Sequence, residues 1–285
     1  MFDSVFEQSL VFLPLVLGIY LSYKILRITD LTVDGSFVLG AAIYARLLDV
    51  GVNAGSALLL SLLGGFLSGI SVALIQYKDK VNSLIAGILA LFILYSINFQ
   101  VLGRPNISLH SYDGYFNQYG REFIFISVSC VLVLMLLLLN SSVGLKLRAF
   151  GQNKALLEVI GAKPEVIRFF GLALSNSLAA LCGVLSVEIN GYADVNMGFG
   201  VTLTGIGSLV IGLEIMNHCY PPTNKTFCSI RDMVGCSLGV FIYFLALNTL
   251  LILGIEPINL KLCLGVVLIF FLRTAAQSNT SMMRY

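Results

Sequence analysis

The sequence predicts an all-α integral membrane protein with about nine transmembrane helices, eight to ten being the range. Three observations lead there. Only 11% of the 285 residues are charged, 58% are hydrophobic, and mean hydropathy is +0.92. A soluble domain carries about 25% charged residues, so most of this chain's outside must face lipid. The apolar residues fall into nine runs. The basic residues fall unevenly between those runs. Nine helices of about 20 residues each leave no loop long enough for a separate soluble domain, so 1–285 reads as a single transmembrane domain.

The first run, about Val5–Tyr23, has no Lys or Arg before Lys24. It lacks the charged leader of a signal peptide and reads as a retained helix. The second, Leu31–Leu48, is short and opens on Asp30-Leu31-Thr32-Val33-Asp34-Gly35-Ser36. The third, Ala54–Tyr77, holds Gly65 and Gly69 at a spacing that lets helices approach closely. The fourth is Val81–Leu102 and the fifth Glu122–Asn140. The sixth, Pro164–Ile189, carries Ser175, Asn176 and Ser177 midway, where interhelical hydrogen bonding is the plain expectation; Asn98 and Asn248 invite the same reading.

The seventh, Phe199–Met216, is entered through Asn190–Gly200, which is rich in glycine and short polar residues. The eighth, Met233–Leu253, has Gly235 and Gly239, and the ninth is Ile255–Leu272. Glycine lets a backbone leave the helix, and short polar side chains satisfy the freed groups. The second and seventh helices are therefore expected to be broken. Runs one to four match six to nine in pattern, so residues 1–102 and 164–273 are expected to form an inverted repeat.

With nine spans the loops alternate sides. One set holds Lys24, Arg27, Lys78, Lys80, Lys146, Arg148, Lys154, Lys163, Arg168, Lys225, Arg231, Arg273 and Arg284, which is 13. The other holds Arg46, Arg104, Arg121 and Lys261, which is 4. The basic side is cytoplasmic. The N-terminus is then expected outside and the C-terminus inside. A net charge of +2 gives no reason to expect a nucleic-acid partner. The six cysteines lack paired CxxC spacing and read as reduced thiols.

Two readings stay open for Asp34. It caps and braces the start of its helix, or it lines a translocation path together with Thr32 and Ser36. Asn98 and Asn176 are further path candidates. On the outer side, Arg104, Asn106, Asp194 and Asn196 read either as ordered loop or as a docking point for a delivery protein, the 190–200 segment also as an outer gate. The basic loop 141–163 reads as an amphipathic helix, ended by Gly161 before Pro164. It is either an interfacial anchor or a handle for a cytoplasmic partner.

The chain has no Gly-Lys pair and hence no P-loop. Its two histidines cannot build a multi-histidine metal site. No metal, no cofactor, no nucleophile elbow and no catalytic residue are expected.

Six ordered segments carry a family resemblance: Asp30–Gly40 (DLTVDGSFVLG), Leu84–Asn98 (LIAGILALFILYSIN), Arg104–Ile107 (RPNI), Leu147–Asn153 (LRAFGQN), Leu172–Gly183 (LALSNSLAALCG) and Gly191–Gly200 (GYADVNMGFG). Over about residues 10–275 the chain resembles permease subunits of bacterial ABC importers in the branched-chain amino acid/ribose permease superfamily. Within it, tryptophan/tyrosine-type uptake permeases are most similar.

The resemblance implies a multi-pass protein of the bacterial inner membrane, paired with a second permease copy as a homodimer. It implies a cytoplasmic ABC ATPase that binds the ATP, and an extracytoplasmic solute-binding protein. Loop 141–163 would then be the segment coupling to the ATPase, with Arg148, Gly151, Asn153 and Gly161 matching the family pattern. Asp34 falls in a segment that lies beside the path in related sugar permeases. The loop His218–Arg231 departs from the pattern by its length and polarity. The rival expectation is a secondary transporter working without an ATPase.

Overall fold

The computed structural model describes residues 2–109, 120–159, 161–219 and 225–256, with 259, 262, 265 and 266. The elements in order are α1 (Phe2–Ile19), a π-helical turn (Tyr20–Ile25), α2 (Thr32–Asp49), α3 (Ala54–Ile75), a 3-10 turn (Tyr77–Asp79), α4 (Ser83–Leu102), β1 (Asn106–Ser108), α5 (Arg121–Asn140), α6 (Ser142–Gln152), α7 (Lys154–Val159), α8 (Pro164–Asn190), β2 (Tyr192–Asp194), α9 (Val201–Cys219) and α10 (Lys225–Ile252).

Local chemistry sets several of these limits. Asn53 and Asn82 cap α3 and α4, their side-chain oxygens accepting from the N–H groups of Gly55 and Leu84. Pro164 opens α8, where its missing N–H costs no hydrogen bond. Gly103 and Gly191 end α4 and α8 in the left-handed region, at φ 71° and 72°.

Among the described residues seven helices are long and apolar enough to cross a membrane. The expected second run, α2, is not among them. It has 18 residues and carries Asp34, Arg46 and Asp49, yet most of its surface is buried by neighbours. Two thirds of the expected ninth run, Ile255–Leu272, falls outside the described residues.

Two expectations are corrected. α2 is a continuous helix from Thr32 on; the irregular backbone lies just upstream, at 26–31. Asp30 and Thr32 satisfy that entry, so the helix need not open at Gly35. The polar loop read as His218–Arg231 is shorter, because α10 begins at Lys225. The seventh helix is entered through strand and turns at 192–200 and, like α2, is unbroken once begun, running from Val201 to Cys219.

Two compact units emerge. The larger holds residues 10–203. Its axis is α8, which is 27 residues long and enclosed along most of its length by α2 and α3. α2 also packs on α4. The outward faces of α3, α4 and α5 expose Leu59, Leu63, Leu67, Phe92, Ile126 and Leu137, as lipid-facing helices do. At one end Ala41, Ala45, Leu48, Ala57, Val184 and Val187 form a core under the antiparallel pair β1–β2, which adds Ile107, Ala193 and Val195. The smaller unit holds residues 1–9 and 204–285. Within it, α9 and α10 pack closely through glycines.

Candidate functional site

A chain of buried polar groups runs through the larger unit. Asn176, midway along α8, donates from Nδ2 to Asp30 Oδ2 at 2.8 Å and to the Leu172 carbonyl at 2.9 Å. Its Oδ1 accepts from Ser36 Oγ at 2.6 Å. Ser36 Oγ lies 2.7 Å from Ser68 Oγ, and Ser68 donates to the Gly65 carbonyl. The other oxygen of Asp30 accepts the Thr32 N–H at 2.9 Å. Asp30 is 4% exposed, so its carboxylate depends on these donors. Asn98 on α4 donates to the Gly35 carbonyl at 3.0 Å, a bond available because Gly35 lies against Leu94 with no room for a Cβ. Of the path candidates, Thr32, Ser36, Asn98 and Asn176 are thus buried between helices.

Asp34 differs. It is half-buried, in the first turn of α2, and its carboxylate reaches across to α9. Oδ1 accepts from the Thr202 N–H at 2.5 Å and the Thr202 hydroxyl at 2.6 Å, and Oδ2 from the Gly200 N–H at 3.2 Å. A carboxylate from α2 therefore caps α9, where the helix dipole favours negative charge. Gly198 makes room for this: a Cβ there would sit 2.6 Å from the Asp34 carbonyl. Tyr95 on α4 and Phe199, one residue before Gly200, face each other at 6.3 Å.

The four outer-loop candidates come together on one small ribbon. Asn106 is opposite Asp194 in the β1–β2 register. Asp194 accepts the Asn196 N–H at 2.7 Å. Arg104 and Arg46 both donate to Asp49, at 2.6 and 2.7 Å. Below the ribbon the Tyr44 hydroxyl donates to Glu188, joining α2 to α8.

The opposite end holds segment 141–163, folded as α6 and α7. Leu147 and Phe150 are buried on one face, while Leu145 and Lys146 are exposed on the other. Gly151 sits where a Cβ would lie 1.9 Å from the Ile25 carbonyl, so α6 rests directly on the π-helical turn. Arg148 is half-buried. Asn153 is exposed and accepts the Ala155 N–H at 3.0 Å, which starts α7. Gly161 turns the chain at φ 73°.

Residues that the sequence reading counted only as loop charges, with Asp79, tie this segment down. Arg168, 1% exposed, donates to the Gln76 carbonyl and to Asp79, each at 2.5 Å. Lys154 reaches both oxygens of the same Asp79 at 3.0 and 2.9 Å. Lys78 and Asp79 both adopt positive φ, 56° and 54°, which costs roughly 1–2 kcal/mol per non-glycine residue. Arg168 sits a turn inside a helix start, a place where an arginine carries no sequence flag.

The helix-packing glycines make close approaches. A Cβ at Gly65 would lie 2.7 Å from the Asn176 carbonyl, and one at Gly69 2.3 Å from the Leu172 carbonyl. In the smaller unit a Cβ at Gly239 would lie 2.0 Å from the Ser208 carbonyl, and one at Gly235 3.2 Å from that of Gly212.

The last pair also corrects the expectation of no nucleophile-elbow pattern. Gly235-Cys236-Ser237-Leu238-Gly239 has the GxSxG spacing. It lies inside continuous α10, with Ser237 bonded back to the Met233 carbonyl at 3.1 Å. An elbow needs a strand-to-helix turn, so these glycines pack helices.

Polar groups that join long apolar helices with lipid-facing outer sides are those of a multi-pass membrane protein. Sequence comparison places it further. The family described as the branched-chain amino acid transport system permease component matches residues 1–272, and the chain belongs to that family. It is 44% identical over 278 residues to an uncharacterized protein of Rickettsia prowazekii, covering 96% of this chain and 97% of that one. It is 35% identical over 277 residues to a tyrosine transport system permease protein of Clostridioides difficile, covering 95% and 90%. No solved structure matches the chain.

Proposed function

We propose that this permease is the transmembrane subunit of an ATP-driven importer for a small solute, an amino acid such as tyrosine or a related compound. The observation that carries it is the relation, across nearly the whole chain, to a tyrosine transport system permease. The absence of a P-loop from the sequence supports a separate ATPase chain that binds the ATP. An extracytoplasmic binding protein delivers the solute to the ribbon bearing Arg104, Asn106, Asp194 and Asn196. The ATPase docks on 141–163 through Arg148, Gly151, Asn153 and Gly161. The chain lies in the bacterial inner membrane as one half of a homodimer, N-terminus out and C-terminus in, with 1–102 and 164–273 as inverted halves.

In this reading the permease performs no bond chemistry. It holds two arrangements of similar energy, which its partners bias. ATP binding and hydrolysis move the ATPase pair. The coupling segment passes that motion to α3 and α8, and the polar groups around Asp34, Thr32, Ser36, Asn98 and Asn176 exchange partners as the path opens to one side and then the other.

The test is an affinity pull-down of the tagged chain from gentle detergent, with mass spectrometry of what accompanies it. A stoichiometric ABC-type ATPase is the expected result. A clean chain whose solute uptake survives ATP depletion would overturn this reading in favour of a secondary transporter.

A further inference from the structure

We infer that Asp79 is a positioning residue that makes segment 141–163 and the cytoplasmic ends of α3 and α8 move as one body. The inference rests on the reading of 141–163 as the coupling segment. Asp79 ends the 3-10 turn after α3. One carboxylate there serves two cations from two other elements: Lys154, the first residue of α7, and Arg168, in α8. Arg168 also holds the Gln76 carbonyl, which accepts the Asp79 N–H at 2.9 Å as well. The Asp79 backbone and side chain are thus both fixed from α8.

Three features argue that this is more than a surface ion pair. Two consecutive non-glycine residues, Lys78 and Asp79, are held in the left-handed region. Strain of that kind persists where surrounding contacts over-determine the backbone. Arg168 is buried, so its charge needs a partner wherever α8 goes. The Phe150 ring of α6 lies under both cations, with Lys154 Nζ at 5.2 Å and Arg168 Cζ at 5.6 Å from its centroid. Asp79 itself is 63% exposed and Lys154 45%. The exposed Asp79–Lys154 pair adds little to stability, so Lys154→Gln leaves a folded chain in which the effect on motion can be read, whereas Asp79→Asn also takes the carboxylate from buried Arg168.

The experiment places spin labels, carried by unnatural amino acids, at the exposed positions Lys80 and Glu158. Their distance is measured in nanodiscs on the complex with its ATPase, nucleotide-free and trapped with ADP and vanadate. The unaltered chain should keep a single narrow distance in both states. Lys154→Gln and Asp79→Asn should broaden or split it in the trapped state, and Lys154→Arg should restore it.

Distances in Lys154→Gln that stay as narrow as in the unaltered chain would overturn the inference. The underlying reading is judged separately. An Arg148→Ala/Asn153→Ala chain should lose its ATPase in the pull-down, whereas Lys154→Gln should keep it. If the first retains its ATPase, the coupling assignment fails, whatever the distances show.

Discussion

Asn176 can serve its partners in one orientation only. Its amide oxygen accepts from Ser36, and its amide nitrogen donates to Asp30 and to the Leu172 carbonyl. A leucine of similar volume would fill the space and satisfy none of them. Leaving a buried polar group without its partner costs about 1–3 kcal/mol, more when the group is charged. Asn176→Leu should therefore lower the thermal unfolding midpoint in detergent. An unchanged midpoint would mean that water reaches Asp30.

At the scale of elements, the most informative junction is α2 to α9. Asp34→Ala removes three hydrogen bonds from the start of α9. Loss of an N-cap costs about 0.5–2 kcal/mol, and the loss falls on one helix end. Amide hydrogen exchange should rise at Gly200–Leu203 and stay unchanged around Gly65–Gly69. Equal protection in both chains would remove Asp34 from its capping role.

The sequence made the helices and their edges legible because apolar runs and caps are local signals. Asp34 stood out as polar beside an apolar run, but its partners, Gly200 and Thr202, lie more than 160 residues away. No local pattern names them. Asp30 was visible as the residue opening the segment, yet its buried contact with Asn176 depends on how α8 crosses α2. Gly65 and Gly69 announced a close approach by their spacing, without naming α8 as the neighbour. The ion cluster at Asp79 was the least legible part. Its members are ordinary interfacial charges in the sequence and become one site only because α3, α7 and α8 end together.

Across the molecule, α8 serves as a ruler. Arg168 marks one end and Glu188 the other, twenty residues apart, or about 30 Å at the rise of a helix. That distance matches the hydrocarbon thickness of a bilayer. Everything tied to Arg168, including α6, α7 and Asp79, then belongs to one interface. Everything tied to Glu188, including Tyr44 and the β1–β2 ribbon, belongs to the other. In the proposed orientation, with the more basic side inward, the first interface faces the cytoplasm.

A decisive check uses one cysteine on each side, Lys146→Cys and Asn196→Cys, both at exposed positions, with Cys130, Cys219 and Cys228 changed to serine. In intact cells a membrane-impermeant maleimide should label the cysteine at 196 and leave the one at 146 unlabelled until the membrane is opened. The reverse pattern would invert the protein, placing the ribbon in the cytoplasm and the Asp79 cluster outside. An ATPase could then reach only the ribbon, and the partner assignments would have to be exchanged. Labelling at both sites would break the link between α8 and the bilayer thickness, because Arg168 and Glu188 would no longer lie at opposite faces.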